Sequence, residues 1–294
     1  MASSSSTEFS DLPEGCVAHV LSLTTPRDAC RFATISTVFR SAADSDAVWD
    51  RFLSDHLPTI AESDADTQKQ LLDVHPKKQL FICLADSPVL IDGGSKSFLV
   101  EKASGKKCFM IAAREMAIVW GDTPEYWEWV SSPDSRFAEV AQLISVCWLE
   151  LSLTIQASLL SPKTTYTPYL VFKMELDRGF EHTPIETSVG LTSGVKNTKT
   201  IFLAPLEGET RQLTRYFDYS GWARAPPSAS SGGTNGRYPK FRADGWMEAE
   251  LGECFVEGGG DDDGDLVEVS VLEVKRGHWK QGLVIQGIEF RPKA

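Results

Sequence analysis

From Cys147 to Ile155 every second residue is apolar, with Trp148, Glu150, Ser152 and Thr154 standing between them. A period of two sends alternate side chains to opposite faces of a strand, so this segment must cover one face and leave the other wetter. The same alternation returns at Met247, Ala249 and Leu251, set between Trp246, Glu248 and Glu250, and again at Val267, Val269 and Val271. Short strands of this kind, parted by glycine and proline loops, predict an antiparallel β-sandwich beyond Ser97.

Upstream the period changes to that of a helix. Val17, Val20 and Leu21 recur at i, i+3 and i+4. Thr25, Pro26 and Asp28 supply a cap, a first-turn proline and an N-terminal acid for a second helix carrying Ala29, Phe32, Ala33, Ser36 and Phe39. Asp46 is placed to cap a third, with Val48, Trp49, Phe52 and Leu53 on one side. Helices this short cannot bury much apolar surface against one another, so a partner or a neighbouring domain must cover the remainder. The fold class is therefore α+β in two modules: a small three-helix unit over residues 9–55, a helical linker over 56–96, and a β-sandwich over 97–294. In the linker, residues 58–66 read as a polar connection, followed by a short helix stopped at Pro76 and another from Lys77 to before Pro88. The serine-rich residues 1–8 predict a disordered tail, and residues 219–235 a long mobile loop.

The formal net charge of -12 argues against a general nucleic-acid binder, which needs a basic face to displace phosphate counterions. No apolar run approaches bilayer length, and the first residues lack the basic and apolar regions of a secretory signal, so no membrane partner is expected. Cys16, Cys30, Cys83, Cys108, Cys147 and Cys254 are scattered, with no C-x-x-C pair and no histidine spaced to complete a zinc site. They read as buried thiols of a reducing compartment, which places the chain in the cytoplasm and nucleus. No cofactor or metal motif is present. The acidic run Asp261, Asp262, Asp263 and Asp265 lacks the ligand alternation of an EF-hand and predicts a solvated hairpin loop.

The segment from Met110 to Trp129 carries the chemistry. Met116, Ile118 and Trp120 share one parity of a strand, which Gly121, Asp122, Thr123 and Pro124 then stop. Tyr126, Trp127 and Trp129 follow within ten residues. Trp127 lies between Glu125 and Glu128, a wet neighbourhood that predicts an exposed contact ring. Trp120 reads either as core, by its parity, or as a second contact ring. An exposed indole beside carboxylates suits a sugar, whose C–H face lies on the ring while the acids accept its hydroxyl protons.

The run AREMAIVWGDTPEYWEW, with VCWLEL, YLVFKM, FRADGWMEAELGECF and KQGLVIQGIEFRP in that order, resembles the phloem protein 2 lectin domain, found also in the tobacco lectin Nictaba. The resemblance implies a jelly-roll type of sandwich and binding of N-acetylglucosamine oligomers or an N-glycan core. It implies a site of Trp120 and Trp127 with two acids: Glu273, and one falling at Asp265 or Leu266. Glu273 also breaks the apolar parity of Val267, Val269 and Val271, so it needs a partner. That partner is a ligand hydroxyl, Lys275, Arg276 or a backbone donor. Trp148, Trp222, Trp246 and Trp279 read as framework rings.

Residues 12–53, from LPEGCVAHVLSL to AVWDRFL, are similar to a plant F-box, the module that grips the Skp-type adaptor of a cullin-RING ubiquitin ligase. By position, Leu12, Pro13, Val20 and Leu21 would enter the adaptor and Trp49 would close the helical unit. With no nucleophile elbow, P-loop or HExxH, the expectation is a non-catalytic receptor that presents glycoproteins for ubiquitylation. The alternatives are a receptor whose lectin fold reads an unglycosylated protein, and a free lectin with a vestigial F-box.

Overall fold

The computed structural model describes residues 12–205, 237–258 and 264–293. The expected tail, the expected mobile loop, Trp222 and Asp261 to Asp263 lie outside them. The chain divides into two compact units, one of residues 1–93 and 97–108, the other built from residues 109–293 with 94–96.

The described residues of the first unit hold seven α-helices: α1 (Glu14–Ser22), α2 (Pro26–Phe32), α3 (Thr37–Asp44), α4 (Asp46–Leu53), α5 (Leu57–Ile60), α6 (Ala65–Leu72) and α7 (Lys77–Asp86). Thr25 caps α2 as its sequence predicts, its hydroxyl accepting from the Asp28 N–H at 3.2 Å. The single helix expected from Thr25 to Phe39 is instead two, because Ser36 starts α3 by accepting from the Phe39 N–H. Asp46 does not cap its own helix; Ser45 stands at that position, and the Asp46 carboxylate accepts from the Lys77 N–H at the start of α7 at 2.8 Å.

The F-box-like helices do not stand alone. Trp49 is buried, donates from Nε1 to the Ala43 carbonyl at 2.7 Å, and meets Phe81 of α7 with ring centroids 5.1 Å apart. The supposed linker thus supplies core to the helices before it. Residues 58–66 are not wholly a polar connection either, since Thr59 and Ile60 are buried in α5. Two short strands, β1 (Val89–Ile91) and β2 (Lys96–Val100), follow α7.

His56 is buried against Phe98, with ring centroids 5.7 Å apart. Burial first, then the charge of Lys107, lowers its pKa from 6.5 to about 4. The folded unit therefore keeps a neutral imidazole where the unfolded chain takes up a proton. Its contribution to stability is full above pH 6.5 and falls as the pH drops towards 4, by about 2 kcal/mol at pH 5. We expect denaturant unfolding of the helices to show that loss between pH 7 and pH 5 and His56→Leu to lack it; a wild-type and variant with the same pH dependence would refute the assignment.

The second unit is an antiparallel β structure of two sheets. Its strands are β3 (Lys107–Ala112, entering the unit at Phe109), β4 (Ala117–Ile118), β5 (Trp127–Val130), β6 (Val140–Leu143), β7 (Leu149–Gln156), β8 (Thr164–Met174), β9 (Ile185–Leu191), β10 (Asn197–Ile201), β11 (Lys240–Phe241), β12 (Met247–Glu250), β13 (Cys254–Val256), β14 (Leu266–Glu273) and β15 (Leu283–Pro292). One sheet runs β3-β15-β8-β12-β11, with β13 beside β8, β6 beside β15 and β5 beside β6; the other runs β10-β9-β14-β7-β4. The alternation from Leu149 to Ile155 is realised in β7, whose apolar residues are buried and whose polar ones are not. The sheets meet through β9, where the Thr187 hydroxyl donates to the Leu251 carbonyl at 2.6 Å.

The strand expected to run unbroken to Trp120 is interrupted. A 3-10 turn over Ala113–Glu115 separates β3 from the two-residue β4, and the chain leaves the sheet at Trp120, whose φ is 58°.

Candidate functional site

The expected sugar-site residues divide into two groups by position. Trp120 lies half exposed, at 44 %, with its ring 5.3 Å from that of Tyr126. The Val119 N–H donates to the Glu150 carbonyl, so Trp120 sits beside the start of β7. Glu273 closes β14 opposite Leu149, at that same end of the sheet. Asp265 precedes Leu266, which pairs with Gln156 at the far end of the same two strands. Eight residue steps of about 3.4 Å each separate the two acids. Asp265 and Glu273 therefore cannot share one sugar ring. The Asp265 carboxylate is already engaged, accepting from the hydroxyls of Thr192 at 3.0 Å and Ser193 at 2.8 Å, and these bonds hold its pKa down. The alternative Leu266 brings no acid and belongs to that far end as well.

Trp127 is a correction. It is only 2 % exposed, because it opens β5 opposite Leu143 of β6 and turns inward while Glu128 turns out. Flanking glutamates are poor evidence of exposure in a strand, where immediate neighbours occupy the other face.

Glu273 needs a second correction. It is buried and ion-paired with the fully buried Lys280, and it accepts from the Arg276 N–H at 3.1 Å. Burial raises its carboxyl pKa, and the Lys280 and Arg276 bonds more than offset that, so it ionises below the usual range. Lys275 is engaged elsewhere, with Glu186. The partners that the parity of Glu273 demanded are thus a backbone donor, as one of the expected alternatives had it, and an internal cation seven residues on.

Two tryptophans expected as framework are exposed, Trp148 at 42 % and Trp279 at 55 %, whereas Trp246 is buried as expected. The Trp148 indole donates to the Glu150 carboxylate at 2.8 Å. Both rings flank the bridge between Val146 and Lys280. Trp148 shares the wetter parity of Glu150, Ser152 and Thr154, and its exposure follows that parity and not the framework reading.

In the helical unit, Trp49 and Leu21 are core, so Leu21 is unavailable to a partner. Leu12 is partly buried, Pro13 and Val20 are exposed, and Leu23, Phe32 and Ile35 are exposed apolar residues of the same helices and their turns. Leu23 and Ile35 were not singled out by periodicity, because they follow the ends of α1 and α2, whereas Phe32 was expected on the second helix. The six cysteines are free thiols, but of them only Cys108 and Cys254 are buried as expected; Cys83 and Cys147 are partly buried, and Cys16 and Cys30 are exposed on α1 and α2. Among the described residues no helix is long and apolar enough to cross a membrane.

Comparison with known proteins agrees with this division. Residues 9–51 match the family model of the F-box domain, and residues 106–292 that of phloem protein 2. The two together define an F-box protein with a lectin-like β domain. The chain belongs to the plant F-box proteins of the phloem protein 2 group. It is 40 % identical to the Arabidopsis thaliana F-box protein PP2-B1, over 97 % of this chain and 90 % of that one. It is 44 % identical to the putative F-box protein PP2-B12 of the same plant, over 97 % and 98 %. Among solved structures, a family 35 carbohydrate-binding module from Clostridium thermocellum superposes with a TM-score of 0.31 at 9 % identity, over 63 % of this chain and 98 % of that one. At that score the likeness assigns neither fold nor ligand.

Proposed function

We propose that the chain is the substrate-recognition subunit of a Skp-cullin-F-box ubiquitin ligase, whose β domain reads glycans containing N-acetylglucosamine. The F-box supports docking on a Skp-type adaptor, with Pro13, Val20 and Leu12 as contacts and Leu23 and Ile35 beside them. Catalysis would belong to the rest of the ligase. This chain would raise the effective concentration of a bound target near the charged ubiquitin carrier. Free thiols in every cysteine suit the reducing cytoplasm and nucleus.

The observation that carries the glycan reading is Trp120, half exposed and held in the left-handed backbone region beside Tyr126. A branched-free but bulky residue in that region is uncommon and is retained where the surroundings fix it. Glu150, part-exposed at the same edge, offers a carboxylate to sugar hydroxyls.

Calorimetric titration of the full chain with chitotriose tests this. The wild type should bind and Trp120→Ala should lose at least about tenfold in affinity, a change of about 1.4 kcal/mol. The burial of Trp127 and the internal pairing of Glu273 favour the second reading, recognition of an unglycosylated protein. A folded wild type that ignores chitotriose at millimolar concentration would overturn the sugar reading for that ligand and favour the second. Co-purification of the adaptor, lost when Leu12 and Pro13 are both changed to alanine, separates either from a free lectin.

A further inference from the structure

α2 carries Phe32 and is flanked by Leu23 and Ile35, three exposed apolar residues of the helical unit. It has little of its own to hold them in place. α2 is seven residues long and buries only Pro26 and Ala29, and α3 beyond it buries only Ala42 and Ala43. Isolated helices need about 12–15 residues before they persist in water. The three exposed residues therefore take their positions from whatever fixes α2.

The turn between β2 and β3 supplies that support from within the same compact unit. The first N–H groups of a helix have no partner inside it. In α2, Pro26 has none to offer, the Asp28 N–H donates to the Thr25 hydroxyl, and the Arg27 N–H donates to the Ala103 carbonyl at 3.2 Å. Gly105 completes the contact. Its φ of 73° strains any side chain, and a Cβ there would lie 3.1 Å from Cγ of Pro26 and 3.9 Å from the Phe81 ring of α7. Phe81 in turn meets Trp49 of α4. One turn thus touches both the start of α2 and the ring on which the α4 core closes.

Glu101 gives the turn its shape. Its carboxylate accepts from the Ala103 N–H at 3.0 Å, from the Ser104 N–H at 2.7 Å and from the Ser104 hydroxyl at 2.6 Å. Its own carbonyl accepts from the Gly105 N–H at 2.8 Å. Burial raises the Glu101 carboxyl pKa, and the Ser104 and Ala103 bonds with the Arg27 charge more than offset it, so the group ionises below the usual range. Residues 101–105 lie outside both matched regions, 9–51 and 106–292, so neither family accounts for a turn built this way.

We propose that the β2–β3 turn belongs to the adaptor-docking apparatus, with Glu101 as a positioning residue that sets α2, and with it Leu23, Phe32 and Ile35, for the adaptor. This rests on the adaptor-docking reading above. Glu101 acts through the Ala103 carbonyl and the Gly105 contact. Lys102 on the same turn is engaged only in an exposed pair with Asp86 at 2.8 Å, which adds little, and it serves as the control.

The test is calorimetric titration of the full chain with a purified plant Skp-type adaptor. Glu101→Ala should weaken binding about tenfold or more, Glu101→Gln, which keeps one acceptor oxygen, should recover part of the loss, and Lys102→Ala should stay within about twofold of wild type. A folded Glu101→Ala that binds within about twofold of wild type would overturn the proposal and leave the adaptor reading standing. Equal losses in the alanine and glutamine variants would overturn it too, since the effect would then lie in packing and not in the bonds the carboxylate accepts. If wild type binds no adaptor, both readings fall. Should Glu101→Ala fail to fold, hydrogen exchange on wild type decides. Adaptor binding must slow exchange at the Arg27, Ala103 and Ser104 amides, and unchanged exchange at all three would sink the proposal.

Discussion

Replacing Glu289 by alanine should cost the β unit about 3–5 kcal/mol, the usual consequence of leaving buried charges without their counter-ion. Glu289 sits on β15 opposite Met110 and Tyr169, on the face that carries the cluster of Met110, Ala112, Val171 and Trp246. It accepts from Arg136 at 3.0 Å, from Arg242 at 2.7 Å and from the Arg291 Nε at 2.9 Å. Glu248 bridges two of the same guanidinium groups. Without Glu289, Arg242 and Arg291 would share Glu248 and Asp244, and Arg136 would lose its ion pair with β15. Burial pushes the Glu289 carboxyl up, and Arg291, Arg242 and Arg136 overcome this to bring it from 4.5 to about 2. The sign follows: a depressed folded pKa gives stability that is present above pH 4.5 and lost as the pH falls towards 2. The gap between wild type and Glu289→Ala, measured by denaturant unfolding, should thus narrow by about 3 kcal/mol over that range. A gap that stayed constant down to pH 2 would show that the network contributes through shape alone.

Gly287→Ala should be equally severe, at about 3 kcal/mol or more, from overpacking against backbone that has nowhere to go. β15 runs between β3 and β8, and at Gly287 it faces Ala112 on one side and Val171 on the other. A Cβ there would lie 1.9 Å from the Ile111 carbonyl oxygen. The register of β15 against β8 slips at this point, where Ile285 pairs with Phe172 and Gly287 with Val171, leaving Gln286 as the extra residue of a bulge. The alanine must push β3 away or undo the bulge. Thermal unfolding followed by near-UV circular dichroism reads the loss, and a variant melting within a degree or two of wild type would contradict it.

Much of the β unit was legible from alternation alone. β7, β12 and β14 are buried where their parity says, since each has a complete partner strand on at least one side. The candidate site was less so, as Trp127 shows. Parity fixes burial only where a strand continues, and the boundaries of strands are set by partners distant in sequence. β5 begins at Trp127 because β6 pairs there, whereas Trp148 keeps the wetter parity of Glu150, Ser152 and Thr154 and lies open as that parity says. Glu273 shows the complementary case. Its place on an apolar parity announced a buried partner, but the partner's identity depended on the turn over residues 274–279, which brings Lys280 back beneath it. In the helical unit, the cap at Thr25 was local and readable, whereas the helical spacing through Ser36 hid its role as the cap of α3, and the docking of Phe81 on Trp49 spans thirty-two positions.

The sorting of indoles into wet and dry also makes the chain its own optical probe. Buried rings emit at shorter wavelength than hydrated ones and are shielded from a neutral quencher such as acrylamide. Trp49, Trp127 and Trp246 belong to the first population, and Trp120, Trp148 and Trp279 to the second. A molecule settling on the open rings would draw the red edge of the emission towards the blue and leave the quencher-resistant fraction larger, whereas loosening of the helical unit would move the Trp49 signal in the opposite direction. Occupancy of one module and integrity of the other can therefore be followed in a single unlabelled sample.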